Sequence, residues 1–178
     1  MLGVYLSGLK SFISERFGAD VWESSVPETL ENQVQYGKPG STFDFELFSI
    51  LTPVAEQVDV PVSELLKMFG RYIFPRLLDF MPEAREQDMS FRSFMISVDR
   101  VVHKDVQRLY PDVRVPKIEF IQQANKLTMF YRSERKLCYL AEGLIIGAAD
   151  FFQEQIELRH LMCMHHGADY CEIEIIIQ

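Results

Sequence analysis

The stretch Tyr131-Arg132-Ser133-Glu134-Arg135 places three hydrogen-bonding side chains at alternate positions, just before a helical pattern begins. In an extended segment alternate side chains point to the same face, so Tyr131, Ser133 and Arg135 project together. The arginine fork can hold a carboxylate through two charge-assisted bonds, and each hydroxyl adds a donor. The motif therefore favours an anionic ligand, such as a pair of carboxylates. The alternative is the solvated face of an ordinary strand, which also shows such alternation.

One histidine upstream of this motif, His103, lies on a different predicted element. The apolar pattern from Phe91 to Tyr110 predicts a helix, and Pro111 ends it. His103 lies at the border of the apolar stripe of this helix and not at its centre. A helix histidine in such a place is commonly a surface residue, but neutral imidazole on a rigid helix is also a metal ligand. Taken alone, the residue leaves both interpretations open.

Together these features resemble the haem-nitric oxide/oxygen binding family, H-NOX. The resemblance spans nearly the whole chain and is carried, in the family's order and spacing, by Met1-Leu2-Gly3 before an amphipathic helix, His103, Tyr110-Pro111 to Pro116, Tyr131 to Arg135, and Ala141-Glu142-Gly143-Leu144. It implies that His103 ligates the iron of haem b and that Tyr131, Ser133 and Arg135 bind the haem propionates. It also implies that Pro116 presses against the porphyrin plane.

The resemblance further implies which gas the haem binds. Oxygen-binding members carry a distal tyrosine donor five residues after the motif arginine, and that position is Leu140 in this chain. Tyr139 is adjacent but faces elsewhere on a helix. Leu140 therefore predicts binding of nitric oxide, and also of CO, with exclusion of oxygen. The chain differs from several relatives of the family at two other distal positions: Tyr5 replaces an aliphatic residue, and Phe74 replaces a polar one. An oxygen-binding sensor is the alternative if the Tyr5 hydroxyl enters the pocket; otherwise the ring packs in the core.

Composition sets limits on the domains and partners. With 178 residues and no linker-like run, we expect a single domain over residues 1–178. A formal net charge of -8 with only 18 basic residues argues against nucleic acid as a partner. The sequence shows neither an apolar run of membrane-spanning length nor a secretory signal, so we predict a cytoplasmic protein with no membrane partner. An apolar fraction of 48% provides material either for a cavity or simply for a core rich in phenylalanine.

Apolar periodicity predicts mostly helices in the first half of the chain and mostly strands in the second. The predicted helices are Val4–Phe17, Phe43–Val58, Val62–Phe80, Phe91–Tyr110 and Leu137–Gln153, and the predicted strands are Val115–Ile121, Lys126–Tyr131, Ile156–Met162 and Tyr170–Ile177. Pro53 and Pro75 are expected to bend or interrupt their helices. This order predicts an α+β fold, with a helical N-terminal subdomain packed on a C-terminal part that has an antiparallel sheet and a long helix. The family resemblance places the haem between the two.

The C-terminal part also contains a group of residues typical of a metal site. All three cysteines lie there, at positions 138, 163 and 171, with three histidines among them at 160, 165 and 166. Three thiolates and one imidazole form a common closed zinc site, and an odd cysteine count in a cytosolic chain argues against a disulfide framework. A subset of the resembled family carries such a site, and its spacing implies that Cys138, His160, Cys163 and Cys171 bind Zn²⁺. The alternative is three buried free cysteines.

The first functional interpretation is therefore a haem-based gas sensor that is not an enzyme. With no effector domain attached, it is expected to act on a separate signalling protein, and the resemblance implies a histidine kinase or a cyclic-di-GMP enzyme. The second interpretation is a zinc-stabilised module that binds a hydrophobic small molecule and never holds haem. An enzyme fits poorly, because the sequence contains no nucleophile elbow, P-loop or dinucleotide fingerprint.

Overall fold

The structure is a computed structural model that describes residues 2–26, 43–80, 89–98 and 115–178, except the side chains of residues 2–6, 43–46 and 80. The helices in this part are α1 (Leu2–Phe17), α2 (Ala19–Ser25), α3 (Phe43–Val58), α4 (Val62–Leu77), α5 (Phe91–Ser97) and α6 (Cys138–Phe151). The strands are β1 (Lys117–Gln123), β2 (Lys126–Arg132), β3 (Ile156–Met162) and β4 (Cys171–Ile177). This order confirms the predicted α+β class.

The strands form one antiparallel sheet in the order β1-β2-β4-β3. Along β4 the buried side chains alternate, because successive residues of a strand point to opposite faces. The buried residues of β4 are Cys171, Ile173 and Ile175, and they pack with Ile145 and Ala148 of α6 in one apolar cluster. One face of the sheet thus packs in the same apolar cluster as the long helix.

A second apolar core lies within the helical half of the chain. It is built from buried side chains of α1, α2, α3 and α4, together with Leu137 and Leu140 from the start of α6. The half-buried Tyr139 and Leu144 pack against both cores. Helix α6 therefore belongs to the sheet half and also closes the core of the helical half.

The contact between α4 and α6 is unusually close at two glycines. A Cβ atom added at Gly70 would lie 2.5 Å from the carbonyl oxygen of Leu140 and 2.9 Å from the Cα atom of Gly143. Each of these neighbours is a backbone atom, which cannot rotate away. Only glycine at position 70 allows the two helices to approach this closely.

We expected Pro53 and Pro75 either to bend or to interrupt their helices, and one helix was not predicted from the sequence. Both α3 and α4 continue past their prolines, Pro53 and Pro75, so neither helix is interrupted. Their apolar neighbours Val54 and Phe74 are buried, and such burial offsets the lost backbone hydrogen bond. Helix α2 was not predicted; it follows Gly18, whose φ of 112° ends α1. The predicted helix beyond residue 98 lies outside the described residues.

Candidate functional site

The Tyr131 to Arg135 motif lies where β2 ends and the chain turns into α6. Tyr131 belongs to the strand, Ser133 follows it directly, and Arg135 lies in the turn. Tyr131 and Ser133 are buried and Arg135 is half-buried, whereas the intervening Arg132 is exposed. The predicted alternation is therefore present. It does not describe a solvated strand face, because the alternating hydrogen-bonding side chains point into the protein.

Hydrogen bonds of Ser133 fix the turn that carries the three donors. The Ser133 hydroxyl accepts from the backbone N–H of Arg135 at 3.2 Å, and the Ser133 carbonyl accepts from the N–H of Lys136 at 3.1 Å. Burial raises the pKa of Tyr131 to about 12, although a hydrogen bond with the Ser133 side chain and the positive charge of Arg135 act to lower it. The phenol thus stays a neutral donor at physiological pH. Two hydroxyls and a guanidinium in one place fit the carboxylates of haem propionates.

The other residues expected around a haem are described only in part. His103 and the side chain of Tyr5 lie outside the described residues. Pro116 is half-buried and directly precedes β1. Leu140 is buried in the helical core, and Phe74 is buried with its ring edge-on to Phe94, the ring centroids 5.7 Å apart.

The three cysteines and one histidine meet in a single cluster. The ligand atoms of Cys138, His160, Cys163 and Cys171 all lie within 4.8 Å of one another. Two sulfur ligands at about 2.3 Å from a tetrahedral zinc ion are roughly 3.8 Å apart. The Sγ atoms of Cys138 and Cys163 are 3.9 Å apart, which matches this geometry. The turn between β3 and β4 brings the last two cysteines together through Gly167, which has a φ of 91°.

The charges of the cluster favour a bound cation. Burial raises the pKa of the Cys138 thiol, and the neighbouring Cys171 and Cys163 sulfurs raise it further. Burial also raises the pKa of Cys171, whose sulfur accepts a hydrogen bond from the N–H of Met164 at 3.3 Å. A divalent ion reverses this balance, because a coordinated thiol is deprotonated outright. The donor set therefore fits a closed zinc site.

Of the three C-terminal histidines, the cluster contains His160. The Nε2 atom of His165 donates to the carbonyl of Lys136 at 2.8 Å, and its ring stacks on Tyr139 at a centroid distance of 5.3 Å. His166 is exposed. Tyr139, as predicted, lies on another face of α6 than the buried Leu140, with its ring 5.9 Å from that of His160.

The role of Glu142 beside this cluster was not predicted from the sequence. Glu142 lies on α6 with only 5% of its surface exposed. Its Oε1 atom is 2.5 Å from Nδ1 of His160, and its Oε2 atom is 3.1 Å from Nζ of Lys67 on α4. Burial raises the pKa of Glu142, but the hydrogen bonds from His160 and Lys67 outweigh burial, and the pKa is lowered overall. An acidic residue among the small and apolar residues of α6 was the available signal.

The donor motif and the cysteine cluster are neighbours. Tyr131 of β2 pairs directly with Cys171 of β4, and both side chains are buried on the same side of the sheet. Cys138, the first residue of α6, follows shortly after Arg135. A cavity of about 240 Å³ is lined in part by Lys67, Glu142, His160 and Cys163.

The family model for haem-NO-binding proteins matches residues 2–160. The chain belongs to this family. An H-NOX protein from Shewanella oneidensis in the Fe(II)NO state is 31% identical, with a TM-score of 0.84 over 100% of this chain and 99% of that chain. The NMR structure of the H-NOX domain from the same organism in the Fe(II)CO state is 32% identical, with a TM-score of 0.83 and the same coverage. No curated protein matches the chain.

A more distant solved structure shows the same fold. The Fe(II) unliganded H-NOX protein from K. algicida is 21% identical, with a TM-score of 0.80 over 100% of this chain and 97% of that chain. H-NOX domains are haem-based gas sensors rather than enzymes. Membership in the family therefore confirms the expected class of protein, a haem-based gas sensor. In the part of the chain that the structure describes, no helix has both the length and the apolar character to cross a membrane.

Proposed function

We propose that this H-NOX chain binds haem b and senses nitric oxide. The observation that carries the proposal is the convergence of Tyr131, Ser133 and Arg135 where β2 meets α6. In this proposal these three residues hold the propionates, His103 supplies the axial imidazole and Pro116 lies against the porphyrin. The bound haem supplies a ferrous iron that takes up diatomic gases.

The choice of gas is proposed to depend on Leu140. Its buried aliphatic side chain has no hydrogen-bond donor, so it cannot stabilise the polarised oxygen ligand. Nitric oxide and CO do not require such a donor. The proposal is therefore a sensor for nitric oxide that excludes oxygen. An oxygen-binding sensor, with the Tyr5 hydroxyl as donor, is the outcome that a stable spectral change in air would favour.

The output is proposed to be regulation of a separate signalling protein in the cytoplasm, by way of the single domain of residues 1–178. Membership in a family of sensors supports a protein partner, and a histidine kinase or a cyclic-di-GMP enzyme is the proposed class. Coupling between gas and partner requires two conformations whose balance both of them change. The α4–α6 contact, where the two cores meet, is the place where such a change would pass between the two halves.

The cluster of Cys138, His160, Cys163 and Cys171 is proposed to hold a structural Zn²⁺ ion. Its support is the mutual distance of at most 4.8 Å among four ligand atoms of suitable chemistry. Elemental analysis of the purified protein tests this point. About one zinc per chain is expected in the wild type, and a folded preparation that contains no metal would contradict a structural ion.

The haem ligand is tested by replacing His103 with glycine. We expect His103→Gly to lose haem on purification and to regain it when imidazole is added to the medium, because free imidazole can fill the vacated position. His166→Gly is the matched control, since His166 is exposed and lies outside the cysteine cluster. An unchanged Soret band in His103→Gly without imidazole would show that another residue ligates the iron.

A further inference from the structure

The two nitrogens of His160 have different surroundings. Nδ1 is 2.5 Å from the Glu142 carboxylate, whereas Nε2 is buried and has no hydrogen-bond partner among the described residues. A metal-bound histidine coordinates through one nitrogen and usually donates the N–H of the other to a carboxylate or carbonyl. Glu142 therefore selects the tautomer with the proton on Nδ1, and this leaves the Nε2 lone pair available for a metal ion.

The Glu142 carboxylate is itself held by the helical half of the chain. Burying a carboxylate is costly unless charged or hydrogen-bonding partners surround it. Its second oxygen lies 3.1 Å from the ammonium group of Lys67, and Lys67 in turn lies 3.2 Å from the carboxylate of Glu64. Lys67 and Glu64 both belong to α4, and Glu142 belongs to α6. A continuous series of contacts thus joins α4 to the histidine of the cluster.

We propose that Glu142 is a positioning residue for the metal ligand His160, and that Lys67 fixes the Glu142 carboxylate, so that the helical half of the protein sets the affinity of the metal site. This inference rests on the proposed zinc site. It adds that metal affinity depends on a residue of α4 that does not touch the metal. By reciprocity, metal binding strengthens the Lys67–Glu142 link between the two halves.

A second ion pair between the same helices serves as an internal comparison. Arg71 of α4 and Asp150 of α6 form a bidentate ion pair, with nitrogen to oxygen distances of 2.6 and 3.0 Å. Both side chains are exposed, and neither belongs to the cluster. If any α4–α6 ion pair supported the metal site merely by stabilising the helix contact, loss of Arg71 would matter as much as loss of Lys67.

The test uses Zn²⁺ and Co²⁺ with the full-length chain, stripped of metal under reducing conditions. Zinc affinity is measured by competition with a chromogenic chelator, and the Co²⁺ spectrum reports the ligand set through its thiolate charge-transfer and d–d bands. The test variants are Glu142→Ala, Glu142→Gln and Lys67→Met. The controls are Arg71→Met and Glu157→Gln, because Glu157 lies on the same strand as His160 but is exposed.

Loss of an outer partner of a metal-bound histidine typically lowers metal affinity about 10- to 100-fold. We expect this loss and an altered Co²⁺ d–d spectrum for Glu142→Ala. Glu142→Gln, which keeps an acceptor oxygen, should recover part of the affinity. Lys67→Met should lower the affinity less than Glu142→Ala, and the two controls should bind like the wild type. If Glu142→Ala does not fold, the zinc affinity and the Co²⁺ spectrum of Glu142→Gln and Lys67→Met test the positioning role instead.

The outcomes separate this inference from the proposal on which it depends. A wild type that shows no thiolate to cobalt charge transfer would contradict the metal site itself. A wild type that binds normally, with unchanged affinity and spectrum in every Glu142 and Lys67 variant, would overturn the positioning role alone. Equal losses in Lys67→Met and Arg71→Met would overturn it as well, because the effect would then belong to the helix contact in general.

Discussion

Replacing Gly70 by alanine tests the close contact between the two halves of the protein. The added Cβ would lie 2.5 Å from the Leu140 carbonyl oxygen, so the helices must move apart by about 0.9 Å to restore an ordinary contact of 3.4 Å. Overpacking of this kind costs about 1–3 kcal/mol, and backbone on both sides favours the upper end of that range. The better helix propensity of alanine offsets about 1 kcal/mol. The free energy of unfolding should therefore fall by about 2 kcal/mol.

Gly8→Ala on α1 is the matched control. It brings the same gain in helix propensity, but the added methyl meets the Cδ1 end of the Ile73 side chain, which can rotate. We expect its stability to stay within about 1 kcal/mol of the wild type.

The assay is thermal or urea unfolding of both variants and the wild type, with the same haem and metal content in each. For a domain of this size, about 2 kcal/mol corresponds to a fall in Tm of about 4–8 °C. Zinc content and the Soret band should be measured in parallel, so that loss of a bound group is not mistaken for a packing effect. A Tm for Gly70→Ala equal to or above that of Gly8→Ala would refute the argument that backbone contact restricts position 70.

Three further substitutions test the haem contact of Arg135, the choice of gas at Leu140 and the exposed ion pair of Arg71. Arg135→Ala should speed transfer of haem to an apoglobin by about 10- to 100-fold, since a hydrogen bond to a charged group contributes about 1.5–3 kcal/mol; Arg132→Ala, at an exposed neighbouring position, should not. Leu140→Tyr should give the reduced protein a stable spectral change in air, because it supplies a donor; an unchanged spectrum would place Leu140 away from the gas. Arg71→Ala should cost less than about 1 kcal/mol in urea unfolding, because Arg71 and Asp150 are 60% and 49% exposed and water screens their attraction. A larger fall in the free energy of unfolding would show that the Arg71–Asp150 pair stabilises the protein more than its exposure to water predicts.

Much of the fold could be predicted because its periodicity is strong. The third helix was predicted at the bounds that the structure shows, Phe43–Val58, and β3 at Ile156–Met162. Alternating burial at Tyr131 and Ser133 followed directly from the geometry of an extended segment. The cluster of Cys138, His160, Cys163 and Cys171 could be predicted because cysteine and histidine are uncommon residues, and their spacing matches the zinc site of the family subset that the chain resembles.

What could not be predicted depends on contacts between distant segments. The close approach at Gly70 and Gly143 cannot be predicted from the local sequence. A glycine within a helix only lowers helix propensity, and its role in packing becomes visible once the facing helix is known. Pro53 lies within a continuous helix because buried neighbours compensate for its missing hydrogen bond. The acidic residue on the otherwise apolar α6 indicates that Glu142 has an unusual environment, but its partners Lys67 and His160 lie on α4 and β3 and are known only from the fold.

The visible absorption spectrum of the reduced, haem-loaded protein shows whether this H-NOX chain senses nitric oxide and excludes oxygen. The spectrum is recorded without gas, then in air, and then with nitric oxide after oxygen has been removed. We expect a Soret band typical of five-coordinate ferrous haem, no change in air and a clear shift with nitric oxide. A protein that takes up no haem, or one whose reduced spectrum changes stably in air, would contradict this expectation.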